Sequence, residues 1–276
     1  MVSPWTLALP EQWKGPVMLL EANPKRASML AVMYGAFCYA VGVAGLAYCI
    51  FFLLGAVVPT AVDDPATMPL GWALAVDLGL ILGWGVQHSA MARPPFKQWL
   101  ARYVPAYCER VTYCLASGVT LAAVCLLWQP IAGSIWQIAS EPWAMVITAA
   151  GLSGWVLLLA ATFAIDHFEL FGMAQVIRAF LGRPEPESKF VERFVYRIVR
   201  HPIQTGVLIG VWVTPHMTAS HLLFAAMMTL YIYVGLHFEE RALLREFGGA
   251  YADYMRRVPK LIPGASLANL WAARKA

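Results

Sequence analysis

Six apolar stretches run along the chain, and they constrain its fold more than any other feature of the sequence. They cover 29–58, 70–90, 111–128, 143–165 and the closely spaced pair 203–214 and 217–237. About 20 apolar residues cross the hydrocarbon core of a bilayer as a helix, which satisfies its own backbone hydrogen bonds. Only 13% of the 276 residues are charged, about half the share of a soluble domain. The sequence therefore predicts an all-α, polytopic membrane bundle of five to six transmembrane helices.

The last two stretches predict a helical hairpin with a turn at Thr214-Pro215. The member at 203–214 is short and reaches only ~18 Å. The second helix continues past the bilayer to Phe247, where Gly248 and Gly249 predict its end. The tail beyond it is then expected to fold back as a lid. No composition shift divides the chain, so a single domain over 1–276 is expected.

The basic residues indicate the orientation. All 20 Lys and Arg lie in 1–28, 91–110, 178–200 and 241–275, which six spans put on one side. The positive-inside rule makes that side cytoplasmic. We therefore expect a multi-pass inner-membrane protein with both termini in the cytoplasm. The net charge of +4 follows from this topology, so membrane lipids are expected partners and nucleic acid is not.

Two charged clusters flank the predicted hairpin. Arg200 and His201 precede Pro202, and Glu239 and Glu240 lie at the far end of the second helix. A hairpin returns both clusters to the same side of the membrane, where they can form a pocket for a small zwitterionic ligand. The alternative is that they form a positive flank and a solvated charged collar without a ligand.

The residue types in these clusters suit such a ligand. Proline is favoured at the first helical position, so Arg200 and His201 lie beside the free N–H groups of a helix N-terminus, which attract a carboxylate or phosphate. Glu239 and Glu240 point about 100° apart on a helix, so they cannot both serve one ligand atom.

Other polar or small residues lie at or within the apolar stretches. His88 is expected where the second span emerges, as a general base or an ordinary interface residue, and Asp77 lies inside that span. Gly79 with Gly83 and Gly206 with Gly210 have the spacing of close helix contacts. The histidine spacing matches no metal-binding motif, so no metal is expected.

From Arg200 to Pro259 the chain resembles the isoprenylcysteine carboxyl methyltransferase and phospholipid N-methyltransferase group. The resemblance covers roughly 196–263 and implies that this region binds S-adenosylmethionine at the cytoplasmic membrane face. Arg200 and His201 would hold the carboxylate, and Glu239 or Glu240 the ammonium or ribose. Gln204 stands where that group usually has tyrosine. The resemblance thus implies nine cofactor-binding residues: Arg200, His201, Pro202, Gln204, Gly206, Glu239, Glu240, Tyr251 and Tyr254.

The earlier part of the chain is similar to bacterial methanethiol S-methyltransferases, through Gln87–Lys97, Glu109–Tyr113, Trp128–Pro130 and Asp166–Gly172. This resemblance implies S-methylation of a small thiol, methanethiol to dimethyl sulfide, by in-line transfer. A thiol is mostly protonated at neutral pH, so a base or a cation should help. His88 is the first choice, with Arg93, His167 and Arg245 as rivals.

Three other functions stay open at this point. The acceptor could be a lipid or a prenylated molecule. The hairpin could instead bind a nicotinamide cofactor, as in some membrane reductases, or belong to a non-enzymatic assembly factor. The oligomeric state does not follow from the sequence.

Overall fold

A computed structural model describes residues 26–186 and 192–264, and most of this part of the chain is helical. The ten α-helices of the described residues are α1 Met29–Leu54, α2 Leu70–Met91, α3 Pro94–Leu100, α4 Glu109–Leu127, α5 Glu141–Ile165, α6 His167–Phe171, α7 Met173–Leu181, α8 Pro202–Trp212, α9 Ala219–Phe247 and α10 Gly249–Arg257. Short 3-10 turns at Ala106–Cys108 and Phe194–Arg197 precede α4 and α8, and the two described strands are β1 Ser134–Gln137 and β2 His216–Thr218.

Five of these helices are long and apolar enough to cross a membrane: α1, α2, α4 with its preceding turn, α5 and α9. This confirms the predicted polytopic membrane bundle. α8 has 11 residues and is about 16 Å long, shorter than a bilayer core of about 30 Å. One member of the predicted hairpin is therefore short, as expected.

Local capping explains where the long helices begin and end. Ser28 accepts a hydrogen bond from the Ala31 N–H at 3.2 Å, and Gly55 ends α1 in the left-handed conformation with φ 61°. The first span therefore ends at Leu54, four residues before the predicted end. Thr218 caps α9 through the His221 N–H at 3.0 Å, and Gly248 ends that helix as predicted.

The described residues form two compact units. The first contains 134–167 and 192–264, with α5, α8, α9, α10 and both strands. Glycines allow α5 and α8 to pack backbone against backbone: a Cβ at Gly206 would lie 2.5 Å from the Gly154 carbonyl oxygen, and one at Gly154 2.7 Å from the Gly210 nitrogen. β1 pairs antiparallel with β2. No sequence pattern predicts these short strands, because their partners lie in distant loops.

The second unit contains 26–133 and 168–186. Here α1 packs on α4 through small residues, since a Cβ at Gly45 would lie 2.1 Å from the Gly118 carbonyl oxygen. Gly79 and Gly83 make no such contact, because a Cβ at either would meet nothing within 4 Å. The predicted close contact at that pair is therefore wrong for the described chain. The buried Asp77 accepts the Gln129 N–H at 2.8 Å and so holds the end of α4. The single domain over 1–276 stays a prediction.

Candidate functional site

The site forms in the first unit, where α8 begins. Pro202 occupies the first turn of α8, and His201 precedes it in a non-helical conformation with φ −126°. Arg200 and His201 are buried, with 7% and 2% of their surface exposed. Two charged or ionisable side chains at this depth need partners from the protein or from a ligand.

Glu240 on α9 is the main partner of Arg200. The guanidinium donates from Nε at 3.0 Å and from Nη2 at 2.8 Å to the same oxygen, Oε1. Its third nitrogen, Nη1, donates to the carbonyls of Met255 at 2.9 Å and Val258 at 2.6 Å. All three nitrogens of Arg200 therefore have protein acceptors. If Arg200 bound a ligand carboxylate directly, as the sequence suggested, it would have to give up one of these protein acceptors.

The His201 ring lies between the two adjacent glutamates. Nε2 donates to Glu240 Oε1 at 3.1 Å, since a carboxylate only accepts. Nδ1 lies 3.7 Å from Glu239 Oε1. The two carboxylates thus meet different atoms of one ring, in keeping with their predicted divergence along the helix.

The two glutamates differ in how far their oxygens are used. Glu240 accepts from Arg200 and His201 through Oε1 and pairs with Lys260 Nζ through Oε2 at 2.6 Å. Glu239 has a side chain 16% exposed, and within the described residues its nearest ion-pair partner is His201, beyond hydrogen-bond distance. Glu239 therefore keeps acceptor capacity for a ligand, whereas Glu240 organises the cluster.

The C-terminal tail closes over the start of α8, as predicted for a lid. The backbone N–H groups of Arg200 and His201 donate to the carbonyls of Pro259 at 2.9 Å and Lys260 at 3.1 Å. Thr205 Oγ1 donates to the Leu261 carbonyl at 2.8 Å. Backbone bonds and the Lys260 ion pair therefore fix the tail to both charged clusters.

The two tyrosines of α10 pack inside this tail rather than facing a ligand. Tyr251 and Tyr254 are fully buried in an apolar cluster with Leu243 and Val258. The Tyr254 hydroxyl donates to the Tyr196 carbonyl at 2.6 Å. Burial raises the pKa of both phenols, and the neighbouring Glu240 raises that of Tyr251 further. The predicted contact of these rings with the cofactor would require the tail to move.

Three further predicted residues belong to α8. Pro202 is buried at its first turn, and Gln204 is half-buried one turn before the middle of the helix. Gly206 faces the Gly154 backbone, so its missing side chain serves helix packing. The positions of Pro202 and Gln204 leave their predicted binding roles open.

The four predicted catalytic residues are divided between the units. His167, buried, follows α5, and Arg245 is exposed on the protruding end of α9. In the second unit, Arg93 is exposed before α3. His88 stacks on Trp84, and its Nδ1 and Nε2 lie 3.0 Å from Ser117 Oγ and 2.6 Å from the Tyr113 hydroxyl. Both ring nitrogens of His88 are thus engaged by hydroxyl groups.

Sequence reasoning missed three members of this site: Lys260, Thr205 and Tyr196. Lys260 follows Pro259 in the tail that was expected to fold back, so its position carried a usable signal. Thr205 donates to the Leu261 carbonyl, and the Tyr196 carbonyl accepts from the Tyr254 hydroxyl. Both bonds join residues far apart in the chain, and no sequence pattern marks such bonds.

Comparisons with known proteins identify relatives of this chain. Residues 149–250, which include α8 and α9, match the family model described as phospholipid methyltransferase. Methanethiol S-methyltransferase 2 of Bradyrhizobium diazoefficiens is 42% identical over 237 residues, covering 86% of this chain and 91% of that protein. The methanethiol S-methyltransferase of Mycobacterium tuberculosis is 43% identical over 234 residues, covering 85% and 96%. That of Pseudomonas deceptionensis is 45% identical over 208 residues, covering 75% and 79%. No solved structure matches the chain significantly.

Proposed function

Because this chain belongs to the methanethiol S-methyltransferase family, we propose that it transfers a methyl group from S-adenosylmethionine to methanethiol and releases dimethyl sulfide. Family membership makes the chain a methyltransferase. The identity of the donor and the acceptor is what we propose here. The cluster of Arg200, His201, Glu239, Glu240 and Lys260 supports the donor.

Glu239 fits the positive or hydroxyl-bearing part of the donor. Its carboxylate is partly buried, with a distant contact to His201 as its nearest ion pair in the described chain. A charge-assisted hydrogen bond from an ammonium group or a ribose diol would satisfy it. Of the two glutamates, we therefore assign Glu239 to the ammonium or ribose of the donor.

Lys260 and the N-terminus of α8 fit the carboxylate of the donor. Lys260 is the more exposed of the two cations bound to Glu240, with 35% of its side chain accessible against 8% for Arg200. The positive end of the α8 dipole lies beside it, because the Lys260 carbonyl accepts the His201 N–H. Arg200 and Glu240 hold these groups in position without touching the donor.

The bound donor would supply a methyl group activated by its sulfonium. Transfer is an in-line displacement, so the chain contributes alignment and exclusion of water. The bonds between the tail and residues Arg200, His201 and Thr205 close this end of the bundle. A tail that opens for exchange and closes for reaction would serve both tasks.

The distribution of basic residues supports an active site at the cytoplasmic face of the inner membrane. All Lys and Arg fall in segments that lie on one side when α8 is counted as the sixth span beside the five long helices. Methanethiol is small and apolar enough to enter from the bilayer or from the cytoplasm.

A phospholipid acceptor is the second candidate, because the matched family model carries that description. Headspace measurement of dimethyl sulfide tests the first. Cells that express the chain and receive methanethiol should release it, whereas cells expressing Glu239→Gln should not. Donor with a labelled methyl group should leave the lipid fraction unlabelled. Label in phospholipid without dimethyl sulfide would replace methanethiol by a lipid acceptor.

A further inference from the structure

The His201 ring at the start of α8 has a fixed position. Its backbone N–H donates to the Lys260 carbonyl at 3.1 Å, and Nε2 lies 3.1 Å from Glu240 Oε1. Arg200 and Lys260 bind the same carboxylate at 2.8 and 2.6 Å, so Glu240 is ionised and can only accept. Nε2 therefore carries a hydrogen. Only 2% of His201 is exposed, so the ring keeps this orientation.

The other ring nitrogen, Nδ1, faces Glu239. In the neutral ring the hydrogen on Nε2 leaves a lone pair on Nδ1. Among the described residues none hydrogen-bonds to Nδ1, and its charged neighbour is Glu239 Oε1 at 3.7 Å. Glu239 is also the less buried glutamate, with 16% of its side chain exposed against 8% for Glu240. Nδ1 thus points toward the more accessible side of the cluster with a lone pair that can take a proton.

This arrangement is that of an oriented base. In catalytic triads one imidazole nitrogen donates to a carboxylate, which fixes the tautomer, and the other nitrogen takes the proton of the nucleophile. Here Glu240 is the orienting carboxylate, and Nδ1 lies beside Glu239, which we assign to the donor. His88 differs, because its two nitrogens lie 3.0 and 2.6 Å from hydroxyl groups.

We propose that His201 Nδ1 is the base that accepts the proton of the thiol substrate, a role that rests on the proposed function. The S–H bond breaks and its proton binds Nδ1. The freed sulfur lone pair forms the new bond to the methyl carbon, while the bond from that carbon to the sulfonium breaks and leaves its electron pair on the donor sulfur. The proton then passes from His201 to solvent on the side of Glu239.

The charges around the ring suit this step. Four charged groups of the described residues surround it: Glu239 and Glu240 on α9, Lys260 in the tail and the adjacent Arg200. Their formal charges cancel. A sulfonium bound beside them disfavours an imidazolium, so the ring is neutral before the reaction. Methyl transfer removes the sulfonium charge as the thiol proton adds one positive charge to His201, so the total charge of the site does not change.

His201→Gln separates a base from a donor ligand or a structural residue. Its amide still donates to Glu240, so we expect donor affinity and unfolding temperature close to those of the wild type. In contrast, kcat/KM for methanethiol should fall about 100-fold near pH 7. This deficit should shrink about tenfold for each unit of higher pH, as the thiol ionises by itself.

His237→Gln is the matched control, because His237 is exposed on α9 two residues before Glu239. It should keep wild-type activity at every pH. Full activity of His201→Gln, or a deficit that stays constant with pH, would overturn the assignment. Loss of donor binding together with activity would make His201 a donor ligand and would also overturn it.

The pH profile of the wild type gives a test that needs no variant. With a base in place, kcat/KM for methanethiol should change less than about tenfold between about pH 7 and pH 9. A rise of about tenfold per unit would mean that the protein takes the thiolate from solution, and His201 would not be its base. Absence of dimethyl sulfide from the wild type would instead refute the proposed function itself.

Proton uptake on binding provides a readout that does not depend on turnover. S-adenosylhomocysteine lacks the sulfonium charge, so His201 should be protonated more readily beside it than beside S-adenosylmethionine. Calorimetry in buffers of different ionisation enthalpy, between about pH 6 and pH 9, should show about half a proton more taken up with the product at one pH of this range. The difference should vanish in His201→Gln and persist in His237→Gln. Equal uptake for both ligands in the wild type would contradict the assignment.

Discussion

Arg200 donates two hydrogen bonds to a single oxygen of Glu240, at 3.0 and 2.8 Å, although the two residues lie forty positions apart. This pair joins the start of α8 to the protruding end of α9. The remaining guanidinium nitrogen holds the Met255 and Val258 carbonyls, so one side chain links both charged clusters and the tail. The geometry of the candidate site depends on it.

Removal of Arg200 should destabilise the protein more than removal of an exposed arginine. Arg200→Ala leaves the buried Glu240 without its main partner, which costs on the order of 3–5 kcal/mol. Thermal unfolding in detergent and proteolysis of the tail would measure this. Arg241→Ala is the matched control, because Arg241 is exposed on α9 next to Glu240. Equal unfolding temperatures for the two variants would contradict the role of the pair.

The helix contact at Gly206 predicts a steric defect. A Cβ in Gly206→Ala would lie 2.5 Å from the Gly154 carbonyl oxygen, so α5 and α8 must separate, at a cost of about 1–3 kcal/mol. Gly235→Ala is the control, because a Cβ there meets nothing within 4 Å. The control should be neutral or stabilise the helix by up to about 1 kcal/mol. A neutral Gly206→Ala would refute the tight packing.

The hydroxyl of Tyr254 should hold the tail against the turn before α8. Tyr254→Phe removes its bond to the Tyr196 carbonyl and leaves that carbonyl unsatisfied, at a cost of about 1–3 kcal/mol. Hydrogen exchange in 249–261 should accelerate. Tyr233→Phe, half-exposed on α9, should leave exchange unchanged. Identical exchange in both variants would mean that this bond does not fasten the tail.

Alkaline titration should loosen the same region. Burial raises the pKa of Tyr196, Tyr251 and Tyr254 above the unfolded value of about 10. Their contribution to stability is complete below that pH and is lost as the pH rises through the folded pKa. Phenolate absorbance should therefore show a delayed group of tyrosines that ionises together with unfolding. Ionisation of all tyrosines near pH 10 without unfolding would contradict their burial.

The sequence was sufficient for the architecture and for the two clusters. Long apolar stretches and the distribution of basic residues predicted the spans, and the turn between α8 and α9 brought His201 and Glu239 to the same end. The end of α9 at Gly248 followed from its composition. These features depend on local pattern and on helix length.

Other features depend on distances that no local pattern records. Sequence spacing could not tell that Glu240 is saturated while Glu239 keeps free capacity, since both occupy one helix. The same glycine spacing begins at Gly79 and at Gly206. Of these two glycines, Gly206 packs against another backbone, whereas a Cβ at Gly79 would meet nothing within 4 Å.

Calorimetric titration of the purified protein with S-adenosylmethionine tests the central claim most directly. The wild type should bind one equivalent saturably. Glu239→Gln should weaken binding about 10- to 100-fold with little change in unfolding temperature, because it removes one charge-assisted hydrogen bond to the donor while Glu240 keeps its bonds to Arg200, His201 and Lys260. Glu246→Gln, farther along the same helix, should bind as the wild type does. Wild-type affinity in Glu239→Gln would contradict the assignment of this cluster as the donor site.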